Sequence, residues 1–163
     1  MALVLLLAAV PGCAYYSFTG ATVPAHLNTV AIPLAEDNSL SPLTTLDDEL
    51  TDLLITRFVR QTRLSLEENE DEADAVLTIR IDRYLNAPTS VTGQERAELN
   101  RITLSVTARY YDHVEDKELL QRTFSSFADY NPIDGGLERE EATALAALEN
   151  IADDIFTAAT SNW

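Results

Sequence analysis

Two hydrophobic periods, and the order in which they occur, predict an α+β fold: a two-layer sandwich with two helices on one face of a four-stranded mixed sheet. Four stretches alternate apolar and polar residues, two others repeat at helical spacing, and the elements run β-α-β-β-β-α. A chain of 163 residues can bury one core without crosslinks, and its single cysteine allows no internal disulfide.

The first strand is expected over Asn28 to Ala35, where Val30, Ile32 and Leu34 alternate with smaller residues before the turn-rich Glu36-Asp37-Asn38-Ser39. A helix follows from Thr45 to about Arg63. Leu46, Leu50, Leu53, Leu54 and Phe58 share one stripe, and Asp47, Asp48 and Glu49 suit the positive end of its dipole. Pro42 and the Thr44 or Thr45 hydroxyl supply start signals, while Arg57, Arg60 and Arg63 read as charges at its C-terminal end. The next strand sets Ala75, Leu77, Ile79 and Ile81 against Val76, Thr78, Arg80 and Asp82. The third runs from Arg101 to Tyr111, with Ile102, Leu104, Val106, Ala108 and Tyr110 on one face and Arg101, Thr103, Ser105, Thr107 and Arg109 on the other. Asn86 to Ala97 is expected to be a long hairpin connection and Asp112 to Lys117 a short one. In the fourth strand, Leu119 to Tyr130, the positions of Leu120, Phe124 and Phe127 break strict alternation and suggest a bulge near Ser125-Ser126. Pro132, Gly135 and Gly136 punctuate a turn before the last helix, about Leu137 to Ala159. Its buried stripe is expected to be Leu145, Leu148, Ile151, Ala152, Ile155 and Phe156, backed by an alanine-rich surface.

A first strand joined to the second through a helix implies a crossover connection. Both helix stripes would then be buried on one side of the sheet. The other side, lined with Thr, Ser and Arg, is left for water or a partner.

The chain carries 27 acidic and 11 basic residues, a net charge of −16. Nucleic acid is excluded as a partner, because phosphate binding draws on clustered Lys and Arg. Six carboxylates between Glu67 and Asp74 mark an exposed connection, and they lack the ligand spacing and central glycine of a calcium loop. Seven basic residues, Arg80, Arg83, Arg96, Arg101, Arg109, Lys117 and Arg122, make the middle of the chain nearly neutral. His26 and His113 are far apart in sequence and read as surface residues without chemistry. No metal site, cofactor or nucleophile-base-orienter set is legible, which speaks against an enzyme and leaves an envelope hydrolase without machinery.

The N-terminal Ala2 to Val10 is apolar but shorter than the roughly 20 residues a membrane span needs, and Pro11-Gly12-Cys13 follows it. Val10-Pro11-Gly12-Cys13 resembles a bacterial lipobox, in which the cysteine thiol takes a diacylglycerol before cleavage. On that resemblance residues 1–12 are a signal peptide, Cys13 is the lipidated mature N-terminus, and residues 13–27 form an anchor and tether. Residues 28–163 would form the single domain. Ala14 rather than Asp after the cysteine favours the outer membrane, with the domain on its periplasmic face. The only prosthetic group expected is the covalent lipid on Cys13.

With its elements placed, the mature chain resembles the LptE lipopolysaccharide-assembly lipoproteins. The likeness is carried by Gly12-Cys13-Ala14-Tyr15-Tyr16-Ser17-Phe18-Thr19-Gly20, by Pro24 to Leu34, and by Phe124-Ser125-Ser126-Phe127-Ala128-Asp129-Tyr130-Asn131-Pro132. It implies a non-catalytic subunit that sits within the LptD outer-membrane β-barrel, assists its assembly and contacts lipopolysaccharide. Arg80, Arg101 and Arg109 are then the candidate contacts, either with the barrel or with lipid phosphates, because a planar guanidinium engages two oxygens at once. The alternative reading is an envelope lipoprotein that activates or scaffolds cell-wall synthesis.

Overall fold

The computed structural model describes residues 22–89, 99–133 and 135–161. Three long antiparallel strands dominate it: β4 (Ala75–Thr89), β5 (Leu99–Asp112) and β6 (Lys117–Tyr130). Three short ones precede them, β1 (Thr29–Ala31), β2 (Glu36–Asp37) and β3 (Ser65–Leu66), and the helices are α1 (Leu46–Gln61) and α2 (Gly136–Thr160). The sheet runs β3-β1-β4-β5-β6, with β2 also on β4. It therefore has six strands rather than the expected four.

The excess has a local cause. Of residues 28–35 only Thr29–Ala31 forms a strand, β1, paired in parallel with Ala75 and Val76, while Glu36–Asp37, expected to be a turn, is β2 and pairs with Arg80 and Ile81 along the same edge of β4. Pro33 lies between them and has no N–H to give a ladder. The backbone there is held from the helix side instead, where the Ala35 amide donates to Thr51 Oγ1 at 3.0 Å. A further short strand, β3, adds to the outer side of β1 after α1.

The expected faces of β4 and β5 are the observed ones. Leu77, Ile79, Ile81, Ile102, Leu104, Val106 and Ala108 are at most 1 % exposed and meet the helices. Two register shifts were misplaced or missed. The bulge in β6 lies at Leu119, since Tyr110 pairs with Leu120 and Tyr111 with Glu118, whereas Ser125 sits in regular register with Ser105. Phe127 breaks the sequence pattern because it is a surface residue on the polar face. A second shift at Asp82, between the Ile81 and Arg83 pairs, has the larger effect. Strict alternation would point Arg83 inward with Ile81; the extra residue turns it out, opposite Ser105, and brings Tyr84 in. The β4 strand also continues through Pro88 to Thr89, so Asn86–Thr89 is strand rather than hairpin connection. The remainder of that connection lies outside the described residues.

Both helices pack on the inner face. Phe58 of α1 meets Tyr110 of β5 and Phe156 of α2 edge-on, with ring centroids 5.8 and 5.3 Å apart. Ala152 is buried as expected, but the other α2 alanines are not all a surface backing: Ala144, Ala147 and Ala159 are buried too, Ala142 and Ala146 are exposed, and Leu145 is only half-buried. Their small side chains let the helix lie close to the sheet. Gly135 and Gly136 open α2 with φ of 96° and 54°, a left-handed turn that favours glycine. Thr45 makes no side-chain cap on α1.

Thr45 lies 3.5 Å from Glu141, and Arg57 donates to Asp153 and to the Glu149 carbonyl at 2.6 and 3.1 Å. The helices thus run parallel, and Arg57 staples them rather than serving as a plain helix-end charge. Their N-terminal ends share one pole with the β6–α2 loop. The opposite pole holds the N-terminal segment, where the Thr22 amide donates to Thr160 O at 2.8 Å. Arg63 ties that segment down by donating to the Leu27 and Pro24 carbonyls.

Candidate functional site

Helices cover one sheet face and leave the other open, so the side chains of the open face define the candidate site. Near the pole that holds residue 22, Ala73 of the acidic connection buries Ala31 and Val76. Beyond that the face is mostly polar. Hydroxyl rows cross the strands, with Thr107 and Thr123 at 2.9 Å and Ser105 and Ser125 at 3.2 Å.

All three arginines expected here are on this face, but they do not form one cluster. Arg80 stands opposite Thr107 and Arg109 opposite Thr78, so these two are diagonal neighbours. Arg101 lies eight residues away along β5, about 27 Å at strand rise. Each is paired within the sheet. Arg80 Nε donates to Asp82 at 2.6 Å, and Arg109 Nε to Glu118 at 3.0 Å. Arg101 donates through Nε and Nη2 to both Asp129 oxygens at 2.7 and 2.8 Å, and its guanidinium lies 3.9 Å from the Phe127 ring centroid. The Arg101 hydrogen bonds hold Asp129 below the usual carboxylate value. Asp82 is pushed up by burial, but bonds from Thr107 and Arg80 outweigh it and its net shift is downward.

Sequence alternation missed Arg83. Turned outward by the bulge, it is a cation of this face that makes no ion pair among the described residues. One pair along, Leu85, Thr103 and Phe127 form a cross-strand row, with Leu85 42 % and Phe127 54 % exposed. Paired Arg101 and unpaired Arg83 flank this apolar row. The arrangement can meet a surface that is both anionic and apolar.

The histidines are more engaged than expected. His26 Nε2 lies 2.5 Å from Asp112 Oδ2, and its Nδ1 3.6 Å from Glu115. Asp112 is fully buried, and its other oxygen accepts from the Val114 and Glu115 amides. Ligand atoms of His26, Asp112 and Glu115 fall within 4.8 Å of one another, a grouping the sequence did not suggest. Its evident role is to clamp residue 26 to the β5–β6 turn. Asp74, read only as part of an acidic run, accepts from the Asn28 and Thr29 amides at 2.7 and 3.1 Å. Cys13 and Arg96 lie outside the described residues.

The family model LptE, lipopolysaccharide-assembly, matches residues 27–159. The chain belongs to this family. LptE proteins are non-enzymatic lipoproteins, and the role of the family is lipopolysaccharide assembly. No curated protein sequence matches the chain significantly. The fold is similar to that of Chlamydia trachomatis protein CT253, at TM-score 0.55 and 12 % identity over 83 % of this chain and 99 % of that one. An Acinetobacter baumannii minor lipoprotein gives 0.52 and 15 % over 80 % and 90 %. The PelC dodecamer of Paraburkholderia phytofirmans gives 0.55 and 10 % over 86 % and 94 %. At such identities the likeness is one of fold.

Proposed function

We propose that this chain is the LptE-type subunit of an outer-membrane lipopolysaccharide translocon, held to the periplasmic face of that membrane by lipid on Cys13. It assists assembly of an LptD β-barrel, occupies its lumen and contacts lipopolysaccharide. The supporting observation is the open sheet face, where Arg83 and Arg101 flank the exposed Leu85–Phe127 row. Barrel lumens are polar, and a polar sheet face fits one. The phosphates and acyl chains of lipopolysaccharide match an arginine-flanked apolar row. Eight residues, 14 to 21, separate Cys13 from Thr22. They reach at most about 30 Å, enough to keep the domain beside the barrel at high effective concentration.

The test reverses charge on the face. Arg83→Glu is expected to weaken lipopolysaccharide binding by about threefold to tenfold, because that cation has no internal partner to satisfy first. Arg101→Glu together with Arg109→Glu is expected to reduce both lipopolysaccharide binding and barrel co-purification. Exchanging the pair as Arg101→Glu with Asp129→Arg keeps the fold while moving the charge. Unaltered binding and co-purification in all three would remove the assignment of this face. Mass spectrometry of the mature N-terminus checks the lipid separately.

A further inference from the structure

The helix layer carries a second surface of opposite character. Between the N-terminal ends of α1 and α2 lies a groove of about 270 Å³, whose accessible apolar floor is the half-buried Leu145 and the exposed Ala142, laid over the buried Leu46 and Leu148. Glu49, Glu138 and Glu141 rim it. Glu49 and Glu138 have no partner among the described residues, and Glu141 has only the Thr45 hydroxyl at 3.5 Å. Arg139, adjacent in sequence, forms no ion pair with them. Helix dipoles account for acidic residues near helix starts. They do not account for an apolar floor left open between them.

The same pole exposes further apolar side chains. Leu40, just before α1, is 99 % exposed, and Ile133 and Leu137, at the start of α2, are 80 % and 64 % exposed. Leu40 is held at φ 58°, a left-handed conformation that leucine disfavours, in a loop where its side chain buries nothing.

We infer that this groove docks a cationic, leucine-bearing helical segment of a protein partner, with leucines on the floor and Lys or Arg against the three glutamates. Charge decides the occupant. Lipid phosphates are repelled by an unpartnered carboxylate rim. A second copy of this chain brings another −16 charges. The volume falls just below the roughly 300–1,000 Å³ of small-molecule pockets and suits one or two anchoring side chains. Two parallel helices also offer the groove into which a third amphipathic helix packs. This surface lies on the layer opposite Arg83 and Arg101, so both can be engaged together.

The probe is a synthetic twelve-residue amphipathic Leu/Lys peptide, titrated against the full chain in detergent and followed by fluorescence anisotropy. Replacing Glu49, Glu138 and Glu141 with Gln together is expected to weaken binding by about tenfold. The control replaces Glu68, Glu70 and Glu72 with Gln, an equal charge change on the far acidic connection, and is expected to change binding less than about twofold. A Ser/Lys peptide of the same charge is expected to bind at least about tenfold more weakly than the Leu/Lys peptide, because nothing fills the floor. Equal loss in both Glu variants means bulk attraction to an acidic protein and overturns the inference. Equal affinity for both peptides overturns it too, as does self-association on gel filtration that is lost in the groove variant. Ala142→Arg, at an exposed position on the floor, is a second block, and its thermal melt reports whether folding is kept.

Discussion

Asp112 shows what one buried carboxylate can hold. It is fully buried, yet every one of its bonds faces a donor: the Val114 and Glu115 amides on one oxygen and His26 on the other. Burial pushes its pKa up, but the amide bonds and His26 outweigh that, and the net shift is below the usual 3.8. A carboxyl with a depressed folded-state pKa stabilises the fold above its unfolded value, and that contribution is lost as pH falls through the folded one. Asp112→Ala leaves these donors unpaired and is expected to lower stability at pH 7 by about 2 kcal/mol, or about 4–8 °C in Tm. Denaturant titrations of both proteins should show the gap shrinking as pH drops below about 4. A gap that is unchanged at pH 3 would mean that shape alone makes the site costly to cut. None of this was visible in the sequence. Asp112 followed a clean strand and was assigned to a turn, while His26, 86 positions away, belonged to a tether; only the fold brings them together.

At the scale of elements, periodicity located both helices and the three long strands, because each buries one face and its sequence must alternate or repeat accordingly. It failed where the backbone departs from its period. Asp82 adds one residue to β4 and reverses the sense of everything after it, so Arg83, which the sequence placed on neither face and which strict alternation would turn inward, stands on the open face without an ion pair among the described residues. Only Thr29–Ala31 of the strand expected to reach Ala35 pairs as β1, with Pro33 just beyond it, and Glu36–Asp37, read as a turn, pairs with β4 as β2. In α2 the misreading was of size rather than period. Alanine reads as permissive helix surface, but Ala144 and Ala147 are fully buried because the helix approaches the sheet too closely for anything larger. Ala147→Leu is therefore expected to destabilise by about 1–3 kcal/mol through overpacking, despite leucine's good helix propensity. Ala146→Leu, on the exposed side of the same turn, is expected to stay within about 0.5 kcal/mol. Equal melts for the two would show that α2 can move away from the sheet.

For the molecule as a whole, what the sequence left hidden was its division. Composition shows −16 charges but not that one layer presents paired arginines while the other opens a glutamate-rimmed groove. Two opposing salt effects follow from that arrangement, and their sizes decide the sign. The sheet-face ion pairs are solvent-exposed, each contributes little, and all of them weaken as salt rises. Self-repulsion of the net charge also weakens, since the Debye length shrinks from about 30 Å at roughly 0.01 M to about 3 Å at 1 M. The repulsion is spread over 27 carboxylates of the chain, whereas the Arg–carboxylate pairs among the described residues number four. Screening should therefore favour the folded state. Thermal melts are expected to rise by several degrees between roughly 0.01 and 1 M NaCl, and equally in KCl, because the effect is ionic strength rather than a bound ion. A fall in Tm would place more of the stability in the sheet-face pairs than their exposure allows. It would also predict that Arg101→Glu, which breaks the bidentate pair, unfolds the domain rather than merely changing its surface.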